Sequence, residues 1–253
     1  MFKVTISRII IIAAFIGIWE YIGQAGLVHH LLLAPPSKVV EGIWMMILNE
    51  GRLKDLLFHV RITLTEIVIA FAFVATIGLL LGFIAAEKKG FGDVFEPIAT
   101  AFASVPNVVL YPAIYLLFGL AEPSKIIFGF ILGFFPVVAN AIAGFRQVDP
   151  AFLTLSKSLG ANRITTYAKV IIPGAAPAIV SGLRMGLART VIGVLAGELL
   201  ASFSGIGYQL GSASYQYLTA ELFGLVLIAA SISIIGNQIF AMLESRVTLH
   251  HSI

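Results

Sequence analysis

The sequence contains no cysteine and few charged residues. The missing cysteines exclude disulfide bonds, thiolate metal sites and cysteine nucleophiles. Charged residues make up only 11% of the 253 residues, whereas soluble proteins average about 25%. So few charges cannot cover the surface of a soluble protein, and the apolar content of 59% excludes a disordered chain. The net charge of +3 is too small to indicate nucleic-acid binding. What remains is a membrane protein.

The sequence also lacks the motifs of common enzymes. No Gly-Lys dipeptide occurs, so the chain has no Walker A loop to bind the phosphates of ATP. Neither His-Glu-x-x-His nor Gly-x-Ser-x-Gly is present. The histidine pairs His29-His30 and His250-His251 have no carboxylate partner nearby, so we predict no metal site and no cofactor. An enzyme is therefore not expected.

Six segments are apolar and long enough to span a membrane, since a helix needs about 20 residues to cross the hydrocarbon layer. They are Ile9–Val28, Ile67–Ala86, Pro97–Ala121, Ile126–Phe145, Ala175–Leu199 and Leu222–Leu243. Each is about twice as long as a strand of a membrane β-barrel. Because backbone groups in lipid must be hydrogen-bonded internally, we predict an all-α membrane protein with six transmembrane helices.

The first segment allows two interpretations. Lys3 and Arg8 before an apolar run, with Gly23-Gln24-Ala25 further on, resemble a cleaved secretory signal. Trp19 and Tyr21 instead favour an uncleaved span that is anchored at the membrane interface, and we prefer this interpretation.

The basic residues predict how the chain is oriented. If the N-terminus lies inside, nine Lys and Arg residues fall in inside segments and five, Lys125 among them, fall in outside segments. Cytoplasmic segments carry the excess of Lys and Arg, so we expect both termini to be cytoplasmic.

A shorter amphipathic segment lies between the first two spans. Pro35-Pro36 interrupts the chain, and Ser37 is the predicted N-cap of a new helix. Apolar residues then recur at helical spacing: Val39, Val40, Ile43, Trp44, Ile47 and Leu48. We predict a helix on the outer surface of the membrane.

The longest polar insertion covers residues 146–173, on the predicted inner side. Its apolar residues at helical spacing are Phe152, Leu155 and Leu159 in a first short helix, and Ile164, Tyr167 and Ile171 in a second. Gly160 is suited to end the first helix in the left-handed conformation, and Pro173 is the predicted end of the second. These stripes are too small for a domain core, so they must dock on the spans or on another protein.

This insertion resembles the cytoplasmic EAA loop in the permease subunits of binding-protein-dependent ABC importers. In that family a glycine is followed, after nine residues, by hydrophobic-x-hydrophobic-Pro, and Gly160 stands at this distance before Val170-Ile171-Ile172-Pro173. Thr154 stands where the family often has Glu, and Leu155-Ser156 replace its Ala-Ala. The resemblance implies that the following residues contact an ATPase subunit: Thr154, Leu155, Ser158, Leu159, Gly160, Ala161, Tyr167 and Pro173.

Short motifs elsewhere resemble the nitrate/sulfonate/taurine-type permeases of the same family. They are Ala34-Pro35-Pro36-Ser37, His59 with Thr63-Leu64, Ser104-Val105-Pro106, Phe118-Gly119 with Ser124-Lys125-Ile126, and Gly205-Ile206-Gly207-Tyr208. Glu66 departs from the pattern, since relatives commonly have Arg there. The resemblance covers residues 34–243 and implies the fold of a type I ABC importer transmembrane domain.

The resemblance also implies a domain organisation and a set of partners. The expected domains are an N-terminal transmembrane helix with the outer amphipathic helix (1–58), a permease core (59–243) and a C-terminal tail (244–253). The expected partners are a second permease copy in a homodimer, a dimer of ATP-binding subunits and an extracytoplasmic solute-binding protein. All would work at the cell inner membrane. The solute would be small and anionic, such as a sulfonate, taurine or nitrate, or else a vitamin precursor.

The fifth span carries three charges that are candidates for the substrate pathway: Arg184, Arg189 and Glu198. Charged groups inside a membrane usually face the interior of the bundle or water. Alternatively, the two arginines lie near the inner boundary, where they snorkel or pair with acids.

Prolines and glycines predict kinks and close helix contacts. The expected kinks lie at Pro106 and Pro112 in the third span and at Pro136 in the fourth. Small-xxx-small faces for close packing occur at Gly78 and Gly82, and at Gly129 and Gly133. Residues 202–208 form either a re-entrant outer gate or an ordinary outer loop.

A different class of function is a self-sufficient secondary transporter. Such a protein would show inverted repeats and discontinuous helices, and the two halves of this sequence have no convincing symmetry. The permease subunit of an importer is therefore preferred.

Overall fold

The computed structural model describes residues 2–104 and 106–249, and the regular structure of these residues is entirely helical. The helices are α1 (Phe2–Gln24), α2 (Pro36–Leu48), α3 (Glu50–Glu87), α4 (Lys89–Ser104), α5 (Tyr111–Phe118), α6 (Glu122–Arg146), α7 (Pro150–Ser158), α8 (Arg163–Thr166), α9 (Ile172–Leu200), α10 (Ile206–Tyr215) and α11 (Thr219–Leu249). A 3₁₀ turn at Asn107–Leu110 precedes α5, and a π-helical turn at Tyr167–Ile171 joins α8 to α9. The predicted all-α class is confirmed.

Within the described residues, five helical segments are long and apolar enough to cross a membrane. They are Ile6–Gln24, Glu50–Glu87, Glu122–Arg146, Arg163–Leu200 and Thr219–Met242. Each overlaps one of the predicted spans. The remaining predicted span, Pro97–Ala121, contains a shorter apolar helical stretch at Asn107–Phe118.

The third apolar segment is broken, although a single kinked span was predicted there. α4 ends at Ser104, and Pro106 has an extended backbone (φ −63°, ψ 91°) with no N–H to continue a helix. Pro112 lies in the first turn of α5, where that donor is not needed, and it does not kink a span. Pro136, in contrast, lies within the unbroken α6. Val105 lies outside the described residues.

Pro173 does not end the second helix of the insertion, contrary to the prediction. α8, the π-helical turn and α9 follow one another directly, so one helical segment runs from Arg163 to Leu200. The N–H of Ile172 donates to the carbonyl of Tyr167, five residues back instead of four. This wider turn just before Pro173 accommodates the missing N–H, and the helix therefore continues.

The amphipathic helix α2 begins at Pro36, one residue before the predicted N-cap. The carboxylate of Glu20 in α1 accepts hydrogen bonds from the Ser37 N–H (2.9 Å) and the Ser37 hydroxyl (2.6 Å). Trp19 donates its indole N–H to the Ala34 carbonyl (3.0 Å). The start of α2 is therefore tied to the end of α1.

The described residues form two compact units, each with its own apolar core. The first unit combines the chain up to Ile62 with Glu198–Ser231, and the second combines Thr63–Gly197 with the chain from Ile232 onward. The core of the first unit is the cluster of Met46, Leu56, Ala213 and Leu225. The second unit has two clusters, Ile67, Ala70, Val191 and Val194, and Ala85, Phe134, Val138 and Ile142.

Close helix contacts in the second unit confirm the predicted glycine faces. A Cβ atom added to Gly82 would lie 2.5 Å from the Cβ of Ala141, so α3 contacts α6 closely there. A Cβ atom on Gly129 would lie 2.7 Å from a methyl carbon of Val194. Glycine thus lets α6 approach α3 with one face and α9 with another.

We predict that Gly133→Ala destabilises the protein. The new Cβ would overlap the Thr190 hydroxyl and lie 2.8 Å from the Gly186 carbonyl oxygen, which cannot move without shifting α9. Overpacking of this kind costs about 1–3 kcal/mol, so the thermal unfolding midpoint in detergent should fall. The control Gly17→Ala, with nothing within 4 Å of the added Cβ, should leave the midpoint unchanged or raise it. An unchanged midpoint for Gly133→Ala would contradict the close contact.

A buried ion pair in the second unit joins Lys125, one of the basic residues counted in the outside segments, to Glu66. The Lys125 ammonium lies 3.2 Å from the carboxylate of Glu66, and the two side chains are 1% and 0% exposed. Lys125 belongs to α6, and Glu66 belongs to α3. Glu66, which departs from the family pattern, therefore has a cationic partner on a neighbouring helix.

We predict that Lys125→Met lowers the free energy of unfolding by about 3–5 kcal/mol, because the Glu66 carboxylate then stays buried without its cation. The double variant Lys125→Met/Glu66→Leu removes both charges and should recover most of this loss. Unfolding by SDS in mixed micelles measures both variants. Lys54→Met, at an exposed position, is the control and should change the free energy by less than about 0.5 kcal/mol. If the double variant is no more stable than Lys125→Met, this account of the pair fails.

Candidate coupling surface and translocation residues

Hydrogen bonds close both ends of α7. The Asp149 carboxylate caps its N-terminus by accepting a backbone N–H of the first turn (2.8 Å). At the other end, Gly160 has φ +73°. The Gly160 N–H donates to the Lys157 carbonyl (3.0 Å), and the Ala161 N–H donates to the Ser156 carbonyl (3.0 Å). This pair of bonds is a Schellman motif and confirms the predicted role of Gly160 as a helix end.

The chain reverses direction immediately after Gly160. Asn162 caps α8, since its side chain accepts the Thr165 N–H (2.8 Å). The hydroxyls of Ser156 in α7 and Thr166 in α8 lie 3.2 Å apart. α7 and α8 therefore form a hairpin, which we call the coupling hairpin (residues 150–166).

An apolar groove of about 320 Å³ lies along the coupling hairpin. Its apolar lining comprises Phe152, Leu155, Leu159, Ala161 and Val170. Phe152, Leu155 and Leu159 are 59%, 55% and 77% exposed. Lys169 is the one charged residue of this lining. The groove is therefore an exposed apolar surface on a hairpin whose helix ends are held by hydrogen bonds.

The structure brings together some of the predicted coupling residues and separates others. Three of them line the groove: Leu155, Leu159 and Ala161. The hydroxyls of Thr154 and Ser158 donate instead to carbonyls one turn earlier (3.1 Å each), and neither residue lines the groove. Pro173 lies in α9, beyond the hairpin.

Tyr167 and Arg163 contact the end of α3. The Tyr167 hydroxyl donates to the Glu87 carboxylate, and Arg163 forms an ion pair with the same carboxylate. The Arg163 guanidinium also lies 5.8 Å from the centre of the Tyr167 ring. Glu87 was not predicted as a partner of this region, because no local pattern links residues that are 76 positions apart.

Each of the three candidate pathway charges has its own surroundings. Arg184 donates from Nε to the side-chain oxygen of Asn237 in α11 (2.6 Å). Arg189 is exposed. Glu198 is 1% exposed, and its carboxylate accepts the backbone N–H of Gly207 (2.8 Å).

A second buried side chain holds the turn between α9 and α10. His59, which is 6% exposed, accepts at Nδ1 the N–H of Gly205 (2.9 Å). Gly205 has φ 99° and ψ 167°, a conformation that is essentially restricted to glycine. A Cβ atom at this position would overlap the Glu198 carboxylate. The Gly205-Ile206-Gly207 motif is therefore an ordered entry into α10.

The hydrogen bond from Gly205 determines the tautomer of His59. Because Nδ1 accepts, the ring proton of the neutral imidazole is on Nε2, which lies 3.4 Å from Asp55 Oδ1. A metal ligand needs a free nitrogen lone pair, and in this tautomer neither ring nitrogen offers one.

A cavity of about 620 Å³ is open beside His59 in the first unit. The apolar core of the unit contributes to its lining, and its charged groups are paired. Arg52 forms an ion pair with Glu221, and Asp55 accepts a hydrogen bond from the Gln209 amide (2.9 Å). The lining therefore mixes both signs of charge. This cavity was not predicted, because its lining residues come from distant parts of the chain.

The most informative relatives are transport permeases. The chain is 30% identical over 234 residues to the aliphatic sulfonates transport permease protein SsuC of Bacillus subtilis, covering 92% of this chain and 83% of SsuC. It is 29% identical over 241 residues to the taurine transport system permease protein TauC of Escherichia coli, covering 95% and 88%. It is 27% identical over 220 residues to the nitrate import permease protein NrtB of Synechocystis sp., covering 85% and 80%.

Solved structures share the fold. The MetNI methionine ABC transporter in an inward-facing conformation matches with a TM-score of 0.65 and 17% identity, over 79% of this chain and 99% of the other. An amino acid ABC transporter matches with a TM-score of 0.56 and 20% identity, over 78% and 95%. The predicted fold of a type I ABC importer transmembrane domain is confirmed.

The family model of the binding-protein-dependent transport system inner membrane component matches residues 78–249. The match includes the coupling hairpin and the whole of α9. The chain therefore belongs to the family of binding-protein-dependent transport system inner membrane components, the permease subunits of ABC transporters.

Proposed function

We propose that this chain is the permease subunit of an ATP-driven importer and receives a small solute from a separate binding protein. The observation that carries the proposal is the exposed apolar groove of the coupling hairpin, in the part of the chain that matches the family. Exposed apolar surface of this kind indicates a protein partner. The partner proposed here is an ATP-binding subunit, because the chain has no phosphate-binding loop of its own.

The contact with this subunit would rest on shape and apolar burial. Residues 151–173 contain only three charged side chains, and one of them, Arg163, is already engaged with Glu87. Complete burial of an exposed leucine such as Leu155 or Leu159 contributes about 1.5–3 kcal/mol. Leu159 and its neighbours would therefore supply much of the affinity.

Movement of the hairpin would reach the membrane through a continuous helix. α8, the π-helical turn and α9 form one helical segment, so a displacement at the groove is carried directly into the fifth span. The contacts of Tyr167 and Arg163 with Glu87 add a second link, to the end of α3. ATP binding and hydrolysis on the partner would thereby move two spans.

The solute is proposed to be a small anion. SsuC, TauC and NrtB are named for aliphatic sulfonates, taurine and nitrate. Arg189 supports the proposal, because it is an exposed cation in an apolar helix. Arg184, which is hydrogen-bonded to Asn237, and Glu198 remain the other predicted residues of the pathway.

We infer a homodimer in the inner membrane with both termini in the cytoplasm. The excess of basic residues in the inside segments supports this orientation, which places the coupling hairpin on the cytoplasmic side. The turn between α9 and α10 then lies on the outer side. The division into residues 1–58, 59–243 and 244–253 remains a prediction.

The test is co-expression of the tagged chain with the ATP-binding and solute-binding proteins that are encoded beside it. We expect the ATP-binding subunit to co-purify in mild detergent, and uptake into proteoliposomes to require ATP on the side of the coupling hairpin. Uptake that is driven by an ion gradient in the purified chain alone would overturn the proposal in favour of a secondary transporter.

We predict that Gly160→Val abolishes both co-purification of the ATP-binding subunit and solute uptake. Valine is strained at φ +73°, so the Schellman turn that shapes the groove would be lost. Gly26→Val is the matched control, since Gly26 has φ +67° and neither glycine has anything within 4 Å of an added Cβ. The control carries the same backbone strain and should retain the subunit and uptake. If Gly160→Val assembles and transports normally, the coupling hypothesis is wrong.

A further inference from the structure

The first turn of α10 is held by side chains from two other helices. The first N–H groups of a helix have no partner within the helix, and here two of them are bound by His59 of α3 and Glu198 of α9. His59 lies 146 positions from the residue it binds, so it is not a local cap. Both acceptors are buried. The entry into α10 therefore depends on contacts that are made inside the first unit.

These contacts favour the observed position of the segment formed by residues 201–207 over nearby positions. A buried polar group that loses a hydrogen-bond partner is destabilised, so nearby positions with stretched hydrogen bonds are unfavourable. Ile206, between the two bound glycines, is fully buried, so its apolar side chain also anchors the segment. Moving the segment would break both hydrogen bonds and withdraw Ile206 together.

Gly205 has the backbone freedom that such a movement would need. Its φ of 99° and ψ of 167° are open to glycine and closed to other residues, and a Cβ would overlap the Glu198 carboxylate. Hinges are typically a few residues at the ends of helices that absorb large changes in backbone angle. The observed position of the segment thus needs glycine at 205 for two independent reasons, its backbone angles and the lack of space for a Cβ atom.

We propose that residues 201–207 form a gate on the outer side of the transport path and that His59 and Glu198 are its positioning residues. The gate is closed while they accept the N–H groups of Gly205 and Gly207, and it opens in the ATP cycle when these hydrogen bonds break. Both side chains hold the backbone of the segment by accepting its N–H groups. The inference rests on the proposed function, which sets the orientation and supplies the ATP cycle.

The natural absence of cysteine makes the gate directly testable. Ser204→Cys, at a half-buried position in the segment, is labelled with a membrane-impermeant maleimide in proteoliposomes that contain the complete transporter. We expect its labelling rate to differ at least about fivefold between the nucleotide-free and the ATP-vanadate-trapped states. Tyr215→Cys, at an 86% exposed position at the end of α10, should label at one rate in both.

The outcomes separate the gate from the proposed function. Equal Ser204→Cys rates in the two states, in a transporter that takes up solute with ATP, would overturn the gate and leave the proposed function standing. Absence of ATP-driven uptake with all partners present would overturn the proposed function, and the gate with it.

Variants of His59 test the role of the acceptor atom. His59→Ala removes the acceptor, and His59→Asn keeps an oxygen at about the reach of Nδ1. We expect His59→Ala to lower the maximal uptake rate at least about tenfold with less than about a threefold change in KM, and His59→Asn to restore most of the rate. A purely structural role would instead reduce the amount of assembled transporter, which co-purification of the ATP-binding subunit measures. Failure of His59→Asn to restore the rate would overturn the assignment.

Substitutions at Gly205 and Gly119 form a matched pair that tests the closed position of the gate. Gly119 has φ 81° and ψ 178°, close to the angles of Gly205, but nothing lies within 4 Å of a Cβ at Gly119. Gly205→Ala should hold the gate open, so that Ser204→Cys labels at the faster rate in both states. Gly119→Ala carries the backbone strain alone and should preserve the difference between the states. Identical labelling behaviour in the two variants would contradict the contact with Glu198.

Discussion

Every backbone N–H and carbonyl group in hydrocarbon must find its partner within the protein, and the organisation of this chain follows from that requirement. Long helices meet it internally, so polar side chains are needed mainly where helices begin. Glu20 serves the start of α2, Asp149 that of α7 and Asn162 that of α8. His59 and Glu198 serve the start of α10. Several of the scarce polar side chains of the sequence thus bind the first N–H groups of helices.

Two carboxylates of α3 are paired with cations from other helices, one pair buried and one partly exposed. Lys125 of α6 meets Glu66 of α3, and Arg163 of α8 meets Glu87 at the other end of α3. A lone buried charge would be strongly destabilising, whereas a satisfied pair is tolerated. α3 therefore carries an acidic anchor near its middle and another at its last residue, and each binds a different part of the second unit.

The helices and the Schellman turn could be predicted from the sequence because their determinants are local. Apolar periodicity identifies the long spans, and Gly160 stands where a left-handed residue must follow α7. The effects of prolines were predicted less well. Pro106 breaks its segment, while the helix continues through Pro173 because a π-helical turn precedes it. The apolar spacing of Ile164, Tyr167 and Ile171 predicts a helix but does not distinguish a π-helical turn from an α-helical one.

The pairings around the candidate sites were not predictable for a different reason. Glu87 with Arg163, and His59 with Gly205, join residues 76 and 146 positions apart. A single sequence gives each residue type but not its partner elsewhere in the fold. What the sequence could indicate was an unusual residue type at its position, such as a charged residue in an apolar segment. Glu198 stood out as a carboxylate in an apolar helix, and its hydrogen bond with the Gly207 N–H became visible only with the structure.

The helical segment Arg163–Leu200 has a geometric consequence for the membrane. Its 38 residues extend about 57 Å at 1.5 Å per residue, whereas the hydrocarbon layer is about 30 Å thick. The excess must be absorbed by tilt or by projection beyond the lipid headgroups. Projection carries the coupling hairpin away from the lipid on a helical stalk, where a water-soluble protein can reach it without displacing lipid. In the proposed importer, the thickness of the bilayer would therefore set the distance at which the permease meets its ATP-binding partner.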